Sequence, residues 1–226
     1  MEGVAGTTDT KDRADYPGAG PWVPDRPSLS AIRSHAQECE GCDLYRDATQ
    51  AVVGEGPRDA RLMVIGEQPG DKEDRAGEPF VGPAGQLLDR ALEEVGIAPS
   101  TVFRTNAVKH FRFSGTRGKQ RIHKSPSRWQ VTACGPWLLA ELEVVHPEVV
   151  VVLGATAGQS VFGPSFRVGA VRGKRLPWSE TVLEVDTPPE TVVATTHPSA
   201  VLRSRQRDED YVAFVTDLRV AAAALS

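Results

Sequence analysis

The sequence predicts an α/β protein of three layers (α/β/α), in which helices cover both faces of a central, mostly parallel sheet. Two strand-like runs, residues 62–65 and Val149–Leu153, are continuously apolar, as expected of strands that are buried on both faces. Segments with the apolar spacing of helices alternate with these strands along the chain. Alternation of buried strands with helices is typical of a parallel sheet between two helical layers, so the fold class follows from these patterns.

The predicted elements follow one another without an internal repeat. A short helix at residues 28–36 has Ser28 or Ser30 as its N-cap. The strand at residues 62–65 leads into a long polar loop and then into a helix that ends near Gly96. The other predicted strands lie at residues 51–57 (with a turn), 102–108, 149–153, 167–171, 181–185 and 191–195. The other predicted helices lie at residues 126–145, 155–161 and 208–224.

Length and composition limit the class of protein. We expect a disordered tail at residues 1–27, rich in Gly, Pro, Asp and Thr, followed by a single domain at residues 28–226. A net charge of −4 argues against a protein whose whole surface coats nucleic acid. No stretch approaches the roughly 18 apolar residues of a membrane span, and the N-terminus lacks a secretory signal. Three cysteines do not suit a secreted disulfide framework. We expect a cytoplasmic monomer with no membrane partner.

The cysteines indicate a metal site. Cys39 and Cys42 are spaced so that two thiolates can bind one metal from a single tight turn. Cys134 lies in the predicted helix at residues 126–145, and His110, at the end of a predicted strand, is the best candidate for a fourth ligand. The spacing favours a metal over none. A structural zinc, an iron–sulfur cluster and a redox dithiol all stay open.

Polar residues follow three of the predicted strands at their carboxyl ends. Gly-Glu-Gln-Pro-Gly at residues 66–70 follows the first, and its two glycines let the backbone approach a ligand closely. Asn106 lies near the end of the second strand, and His197 follows the last, before a proline that can begin a helix. Ligands bind beyond the carboxyl ends of parallel strands, so these residues are candidates for one site. The alternatives are an acidic surface loop, a satisfied amide and a helix-starting His-Pro pair.

Residues 109–128 form the most basic part of the chain. They contain no acidic residue and seven cations, which are Lys109, Arg112, Arg117, Lys119, Arg121, Lys124 and Arg128. Such a segment is typical of phosphate binding, and the interleaved Phe111 and Phe113 suit stacking on bases. A plain solvated loop is the alternative. Two glycines predict that the loop is flexible, and the cations around His123 should lower its pKa and keep a nitrogen lone pair available.

Four motifs together resemble those of the uracil-DNA glycosylase superfamily. They are Gly-Glu-Gln-Pro-Gly at 66–70, Pro-Phe-Val-Gly-Pro-Ala-Gly at 79–85, Thr-Asn-Ala-Val-Lys at 105–109 and His-Pro-Ser at 197–199. The resemblance extends from about Ser28 to the C-terminus. Lys-His at 109–110 and the loop ending in Arg-Ile-His at 121–123 are most similar to the UdgX type. One departure is Gln120, which stands where the UdgX loop has an arginine.

The resemblance implies an enzyme that excises uracil from DNA, with uracil-containing DNA, preferentially single-stranded, as its partner. Enzymes of the UdgX type become covalently joined to C1′ of the sugar through the loop histidine, here His123, and so act once. Cys39, Cys42 and Cys134 resemble ligands of the four-iron, four-sulfur (4Fe-4S) cluster in the family-four branch. That branch usually has a cysteine where this chain has His110.

The chemistry of glycosidic cleavage assigns roles to the candidate catalytic residues. Positive charge grows on the sugar while negative charge grows on the leaving uracil. Glu67 and Asp71 are expected to supply anions near C1′, and His197 is expected to donate to uracil O2. Gln68, from the same motif as Glu67, is placed in the catalytic set with them.

The remaining candidates are expected to bind the substrate. Asn106 reads the uracil edge, where cytosine presents the opposite polarity, and Phe80 stacks on the flipped base. Gly66 allows close approach, and Arg121 anchors the loop or a phosphate. Two alternatives stay open: an ordinary turnover glycosylase, and a non-catalytic, metal-stabilised DNA-binding module.

Overall fold

The structure, a computed structural model, describes residues 15–225. In this part of the chain the strands are β1 Leu62–Gly66, β2 Val102–Asn106, β3 Phe113–Arg117, β4 Gln120–His123, β5 Val149–Leu153, β6 Arg175–Leu176 and β7 Thr191–Thr195. The main sheet has the order β2-β1-β5-β7-β6, with the first four strands parallel and β6 antiparallel to β7. β3 and β4 form a separate antiparallel hairpin.

The helices flank this sheet. Within the described residues they are α1 Leu29–Ala36, α2 Asp71–Ala76, α3 Pro83–Glu94, α4 Arg128–Val145, α5 Gly154–Phe162, α6 Val168–Val171, α7 Pro198–Arg203 and α8 Arg207–Ala222. Ser28 accepts a hydrogen bond from the Ala31 N–H at 3.2 Å, which confirms the first of the two predicted N-caps. Among residues 15–225, no helix combines the length and the apolar character needed to cross a membrane.

The sheet is buried on both faces, as its apolar strands predict. Leu62 and Val151 pack in the layer that contains α3 and α8. Met63 and Val150, one residue away along each strand, pack in the opposite layer with α4 and α5. Successive side chains of a strand point to opposite faces, so one apolar run supplies both cores. The predicted fold class, helices on both sides of a mostly parallel sheet, is therefore confirmed.

The register of the parallel strands brings their carboxyl ends to one edge. Gly66 pairs with Asn106 between β1 and β2, and Leu153 pairs with Thr195 between β5 and β7. β1 and β5 are also neighbours, so the loops that follow four adjacent strands leave the sheet together. His197 belongs to the last of these loops. This edge is where proteins of this architecture bind ligands.

Three of the predicted strands are wrong. Residues 167–171 contain the one-turn helix α6, and residues 181–185 have no regular structure. Residues 51–57 form a single antiparallel bridge, between Glu55 and Arg104, instead of a strand. The strand that does pair with β7 at this edge is β6, which has only two residues and no alternating pattern.

The polar loop after β1 contains helix α2, which the sequence prediction left out. Three acidic residues occupy its first turn, where the helix dipole favours carboxylates. Glu73 accepts hydrogen bonds from the N–H of Gly70 at 3.1 Å and from the N–H of Gly82 at 2.7 Å. Gly77 ends the helix with a φ of 78°. The segment between β1 and α3 is therefore an ordered part of the site edge.

The basic segment contains a β-hairpin, so the prediction that these residues form a loop is wrong, whereas their flexibility stays a prediction. Gly118 and Lys119 join β3 to β4, and the positive φ of 63° at Gly118 suits a tight two-residue connection. Lys109 does not contribute to a cationic surface, because it is fully buried with its Nζ 2.8 Å from Oε2 of Glu141. The exposed cations of the segment are Arg117, Lys119, Lys124 and Arg128.

The predicted disordered tail is only partly within the described residues. Residues 1–14 and Ser226 lie outside them. Residues 15–27 lie against the body: the N–H of Ala19 donates to the carbonyl of Ala133 at 2.7 Å, and the Ala19 side chain is buried. This portion of the predicted tail therefore packs on α4.

Candidate active site

A cavity of about 480 Å³ opens at the carboxyl edge of the sheet. Its walls come from the loops after β1, β2, β5 and β7 and from the hairpin. The structure brings six of the predicted residues together in its lining: Glu67, Gln68, Phe80, Asn106, His123 and His197. Residues outside the predicted set also line it, among them Glu73, Ser125, Ser199 and Arg203.

Gly66 leaves room for two side chains at the cavity wall. A Cβ at this position would lie 2.3 Å from Oδ1 of Asn106 and 2.8 Å from Cζ of Phe80. Both distances are well inside van der Waals contact, so any larger residue would displace these side chains. Glycine is therefore needed at position 66 because the neighbouring side chains leave no room for a Cβ. Its backbone does not require glycine, because its φ is not positive.

Phe80 has an unusual backbone conformation. Its φ of 61° lies in the left-handed region that residues with a Cβ rarely adopt. Such a conformation costs about 1–3 kcal/mol and persists only where the surroundings enforce it. Gly85 shows what enforces it, since a Cβ there would lie 1.6 Å from the Phe80 carbonyl oxygen. Close packing of α3 on the Phe80 backbone therefore holds the aromatic ring against Gly66.

A buried polar network lies behind Asn106. Nζ of Lys109 donates to the Asn106 carbonyl at 2.7 Å and to Oε2 of Glu141 at 2.8 Å. The Thr105 hydroxyl donates to the same carboxylate oxygen at 2.6 Å, and the N–H of Gly54 donates to the other at 2.7 Å. A buried ion pair is tolerated when its remaining hydrogen-bonding capacity is satisfied in this way. The network fixes the strand end that carries Asn106.

Glu67 lies between two partners in the cavity. Its Oε1 is 3.4 Å from Nε2 of His123, and its Oε2 accepts a hydrogen bond from the hydroxyl of Thr156. The side chains of Glu67 and His123 are 20% and 48% exposed, so both are accessible from the cavity mouth. The hairpin therefore delivers its histidine to the loop that follows β1.

The surroundings of His123 favour the neutral imidazole. Burial lowers its pKa from the ordinary 6.5, the Glu67 carboxylate opposes this, and Arg203 adds to the lowering. A neutral imidazole has one nitrogen with an available lone pair. The sequence prediction assigned the lowered pKa to cations of the basic segment. The direction is the same in the structure, but its causes are burial and an arginine of α7.

His197 is neutral and has a defined tautomer. Burial lowers its pKa to about 4, with further lowering from His123 and Arg203. Its Nδ1 accepts a hydrogen bond from the Ser199 N–H at 3.2 Å, and the Ser199 hydroxyl lies 2.8 Å from the same nitrogen. A backbone N–H can only donate, so Nδ1 carries the lone pair and the proton resides on Nε2. His197 therefore offers a neutral N–H donor to a ligand.

Gln68 holds the base of the hairpin. Its amide NH₂ donates to the carbonyls of Arg112 and Lys124, both at 3.1 Å. Its side-chain oxygen accepts from the N–H of Arg112 at 3.1 Å. The amide thereby joins the two ends of the hairpin to the loop after β1. These contacts support a positioning role for Gln68, and its predicted catalytic role stays a prediction.

Asp71 and Arg121 bind each other outside the cavity lining. Nε of Arg121 is 2.5 Å from Oδ1 of Asp71, and Nη2 is 2.7 Å from Oδ2 of Asp74. The guanidinium also lies over the rings of Phe111 and Phe113, 5.2 and 5.1 Å from their centroids. Burial acts to raise the pKa of Asp71, but Arg121 and Arg75 together outweigh it, so the pKa of Asp71 is lowered. The contacts support the anchoring role predicted for Arg121, and they direct the Asp71 charge to the hairpin and not to the cavity.

Comparison with known proteins places this arrangement in a family. The model of the uracil DNA glycosylase superfamily matches residues 53–219, which is most of the chain. The chain belongs to the uracil-DNA glycosylase superfamily. The matched range includes every strand and every residue that lines the cavity, so the site described above is that of a member of the uracil-DNA glycosylase superfamily.

Individual relatives are similar over most of their length. The type-4 uracil-DNA glycosylase of Thermotoga maritima is 35% identical over 181 residues, covering 80% of this chain and 86% of the relative. That of Archaeoglobus fulgidus is 34% identical over 191 residues, covering 81% and 88%. That of Sulfurisphaera tokodaii is 34% identical over 180 residues, covering 77% and 76%.

The three cysteines of this superfamily member gather beside α4. All are buried, and burial raises the pKa of Cys42 to about 11 and that of Cys134 to about 12. Cys39, Cys42 and Cys134 belong to one cluster of buried side chains. The N–H of Lys109 lies 3.3 Å from Sγ of Cys134, and the indole N–H of Trp137 lies 3.4 Å from Sγ of Cys39. Hydrogen bonds to cysteine sulfur are among the contacts that tune iron–sulfur clusters.

The donor set suits an iron–sulfur cluster in its chemistry. Within residues 15–225, no three His, Cys, Asp or Glu side chains form a group that could hold a single metal ion. Burial lowers the pKa of His110 to about 4, against Asp74, and the neutral imidazole is the form that binds metal.

The sequence analysis did not identify the residues whose hydrogen bonds support the predicted site residues. Thr156 bonds to Glu67, and no local pattern identifies it because the two are 89 residues apart. Lys109 was read as a surface cation although it supports Asn106. Ser199 was detectable, since a histidine before a proline is an N-cap candidate whose side chain meets the N–H two residues on.

Proposed function

We propose that this protein excises uracil from DNA and then binds the DNA covalently, through a bond between an imidazole nitrogen of His123 and C1′ of the sugar. The observation that carries the proposal is the contact between His123 and Glu67 in a cavity that also contains Asn106 and His197. Relatives named as type-4 uracil-DNA glycosylases support the excision step.

Recognition of uracil rests on Asn106 and Phe80. The flipped base stacks on the Phe80 ring, and the Asn106 amide pairs with uracil O4 and N3–H. Cytosine presents a donor and an acceptor in the opposite order, so it would leave the buried amide unpaired. Sites of this kind reject the wrong partner strongly, because a buried polar group without a hydrogen bond costs about 1–3 kcal/mol.

Excision breaks the bond between C1′ and N1 of uracil. The bonding electron pair leaves with uracil, whose O2 then accepts a hydrogen bond from Nε2–H of His197. One such donor typically contributes about 10²–10³ in rate. The Glu67 carboxylate supplies negative charge beside the cationic sugar that remains. His197 needs no proton from solvent for this role, because its tautomer already places the N–H on Nε2.

Capture uses the lone pair of neutral His123. The unprotonated ring nitrogen forms a bond with C1′, and the resulting imidazolium releases its N–H proton to solvent. The hairpin supplies the imidazole, and Glu67 orients it. Asp71 and Arg121 contribute by holding the hairpin on α2, and Gln68 contributes by holding its base. The product is a stable joint between protein and abasic DNA, so each molecule acts once.

The DNA is held by the exposed cations of the hairpin. Arg117, Lys119 and Lys124 lie on the same element as His123. Contacts between such cations and phosphates bind DNA without reading its sequence and weaken with salt. Single-stranded DNA is the preferred form, because it spares the cost of extracting a base from a duplex.

A 4Fe-4S cluster is proposed as a structural cofactor. Cys39, Cys42 and Cys134 hold it, with His110 as the fourth ligand. Bound there, it supplies no step of the excision chemistry. Its role is to tie α1 and the segment after it to α4, because Cys39 and Cys42 follow α1 whereas Cys134 lies within α4.

A denaturing gel tests the proposal. The protein is incubated with a uracil-containing single strand, boiled in detergent and separated by size, while released uracil is measured by chromatography. We expect a shifted protein–DNA band and one uracil released per protein molecule. His123→Ser should abolish the band, because serine at this position lacks a nucleophilic lone pair of comparable strength.

Matched controls separate the alternatives. His35→Ser removes an exposed histidine of α1 that does not line the cavity and should leave the band unchanged. A thymine-containing strand should give no band. Released uracil without a band would identify an ordinary turnover glycosylase, and neither uracil nor a band would leave a non-catalytic DNA-binding module.

A further inference from the structure

The two oxygens of the Glu67 carboxylate have different partners. The Thr156 hydroxyl donates to Oε2, while Oε1 faces Nε2 of His123 at 3.4 Å. Thr156 lies in the first turn of α5, directly after β5, so a rigid element positions its hydroxyl. It does not line the cavity itself, although the two residues before it do.

This hydrogen bond determines which way the carboxylate points. A terminal carboxylate rotates readily about its last side-chain torsion, which is broad and roughly two-fold. A donor fixed on one oxygen removes that freedom and directs the other oxygen to the imidazole. A hydrogen bond to a charged group is also among the stronger ones in proteins.

The orientation of Glu67 matters because two nucleophiles can reach the sugar. His123 attacks when the carboxylate orients its ring. Water attacks when the carboxylate instead holds a water molecule, and the water oxygen then bonds to C1′ while its proton passes to Glu67. Both routes consume the same cationic sugar, so their ratio depends on where Oε1 is directed.

We propose that Thr156 is a positioning residue that commits Glu67 to His123 and thereby sets the partition between covalent capture and hydrolysis. The inference rests on the proposed function, since it concerns the fate of the sugar after uracil has left. Loss of the Thr156 hydroxyl should lower the ratio of adduct to free abasic DNA by about tenfold, which corresponds to about 1.4 kcal/mol. Uracil release should be affected much less.

The test compares two substitutions at this position. Thr156→Val removes the hydroxyl and keeps the shape, whereas Thr156→Ser keeps the hydroxyl. For each variant, adduct is quantified as the shifted band and free abasic product as the strand cleaved by alkali. We expect Thr156→Ser to retain the wild-type ratio and Thr156→Val to shift it towards free product with repeated turnover. Thr156→Ala serves as the second hydroxyl-free variant if the valine variant does not fold.

Thr216→Val is the matched control. Thr216 is exposed on α8, where its hydroxyl donates to the Val212 carbonyl at 2.8 Å, and its loss should leave the ratio unchanged. An unchanged ratio in the hydroxyl-free variants would overturn the inference, as would an equal shift in Thr156→Ser. Absence of adduct with the wild-type protein would instead overturn the proposed capture, and the inference with it.

Discussion

Gly66→Ala offers a quantitative test of how the cavity is built. The added Cβ would lie 2.3 Å from Oδ1 of Asn106 and 2.8 Å from Cζ of Phe80. Relief of these contacts requires the Asn106 amide to move by about 1 Å, which is enough to break a hydrogen bond of ordinary length. The buried edge of uracil would then lose its partner.

The expected effect follows from the cost of an unsatisfied buried group. That cost is about 1–3 kcal/mol, which corresponds to a rate reduced about 5- to 150-fold. The assay is single-turnover release of uracil from a single-stranded oligonucleotide, measured by chromatography so that capture of the DNA does not interfere. Gly169→Ala is the control, because Gly169 is exposed on α6 and a Cβ there meets no atom within 4 Å.

Gly66→Ala should slow excision of uracil without impairing folding. The thermal unfolding of Gly66→Ala should remain cooperative, since the affected side chains line a cavity. If the folded variant releases uracil at a rate within about twofold of wild type, Gly66 does not position Asn106, and the account of the cavity wall is wrong.

Four further outcomes are expected. Capture requires neutral His123, whose pKa is lowered below 6.5. Adduct formation should therefore be constant near pH 7 and fall as the pH drops through a midpoint below 6.5. A midpoint above 6.5 would contradict this prediction. Arg203→Met removes a cation that lowers this pKa and should move the midpoint to higher pH. Arg121→Met removes the ion pairs that join the hairpin to Asp71 and Asp74 of α2, so hydrogen exchange of the hairpin amides should accelerate and capture should slow more than excision. Arg90→Met, at an exposed helical pair, should change neither. The purified protein should contain iron and acid-labile sulfide. The Cys42→Ser variant should lose both and should unfold at a lower temperature. Zinc without sulfide in the purified protein would refute the proposed iron–sulfur cluster.

Much of the sheet was predictable because its strands are self-evident in the sequence. Continuous apolar runs identify β1 and β5, since a strand covered on both faces needs an apolar residue at every position. The errors lie at the edge of the sheet. Residues 167–171 were predicted as a strand, but they contain one helical turn, and a single turn is too short to show a helical period.

Site residues at the carboxyl ends of strands could be predicted from the sequence. Roles that depend on partners far away along the chain could not. Glu67 and His197 follow strands and Asn106 ends β2, so the parallel topology brings them together. Lys109 was misread because Glu141, which neutralises it, lies 32 residues away on α4. The hairpin had a local signal, a glycine followed by one residue between two strands, that would have identified it.

The hairpin has a consequence for how this chemistry can arise. In the proposed mechanism, the groups that recognise and release the base lie at the carboxyl edge of the main sheet, whereas His123 lies on a hairpin outside this sheet, attached through Gln68 and Arg121. On this proposal, covalent capture and base excision depend on different parts of the fold. A relative could gain or lose suicide behaviour by exchanging one short ribbon, with its frame untouched.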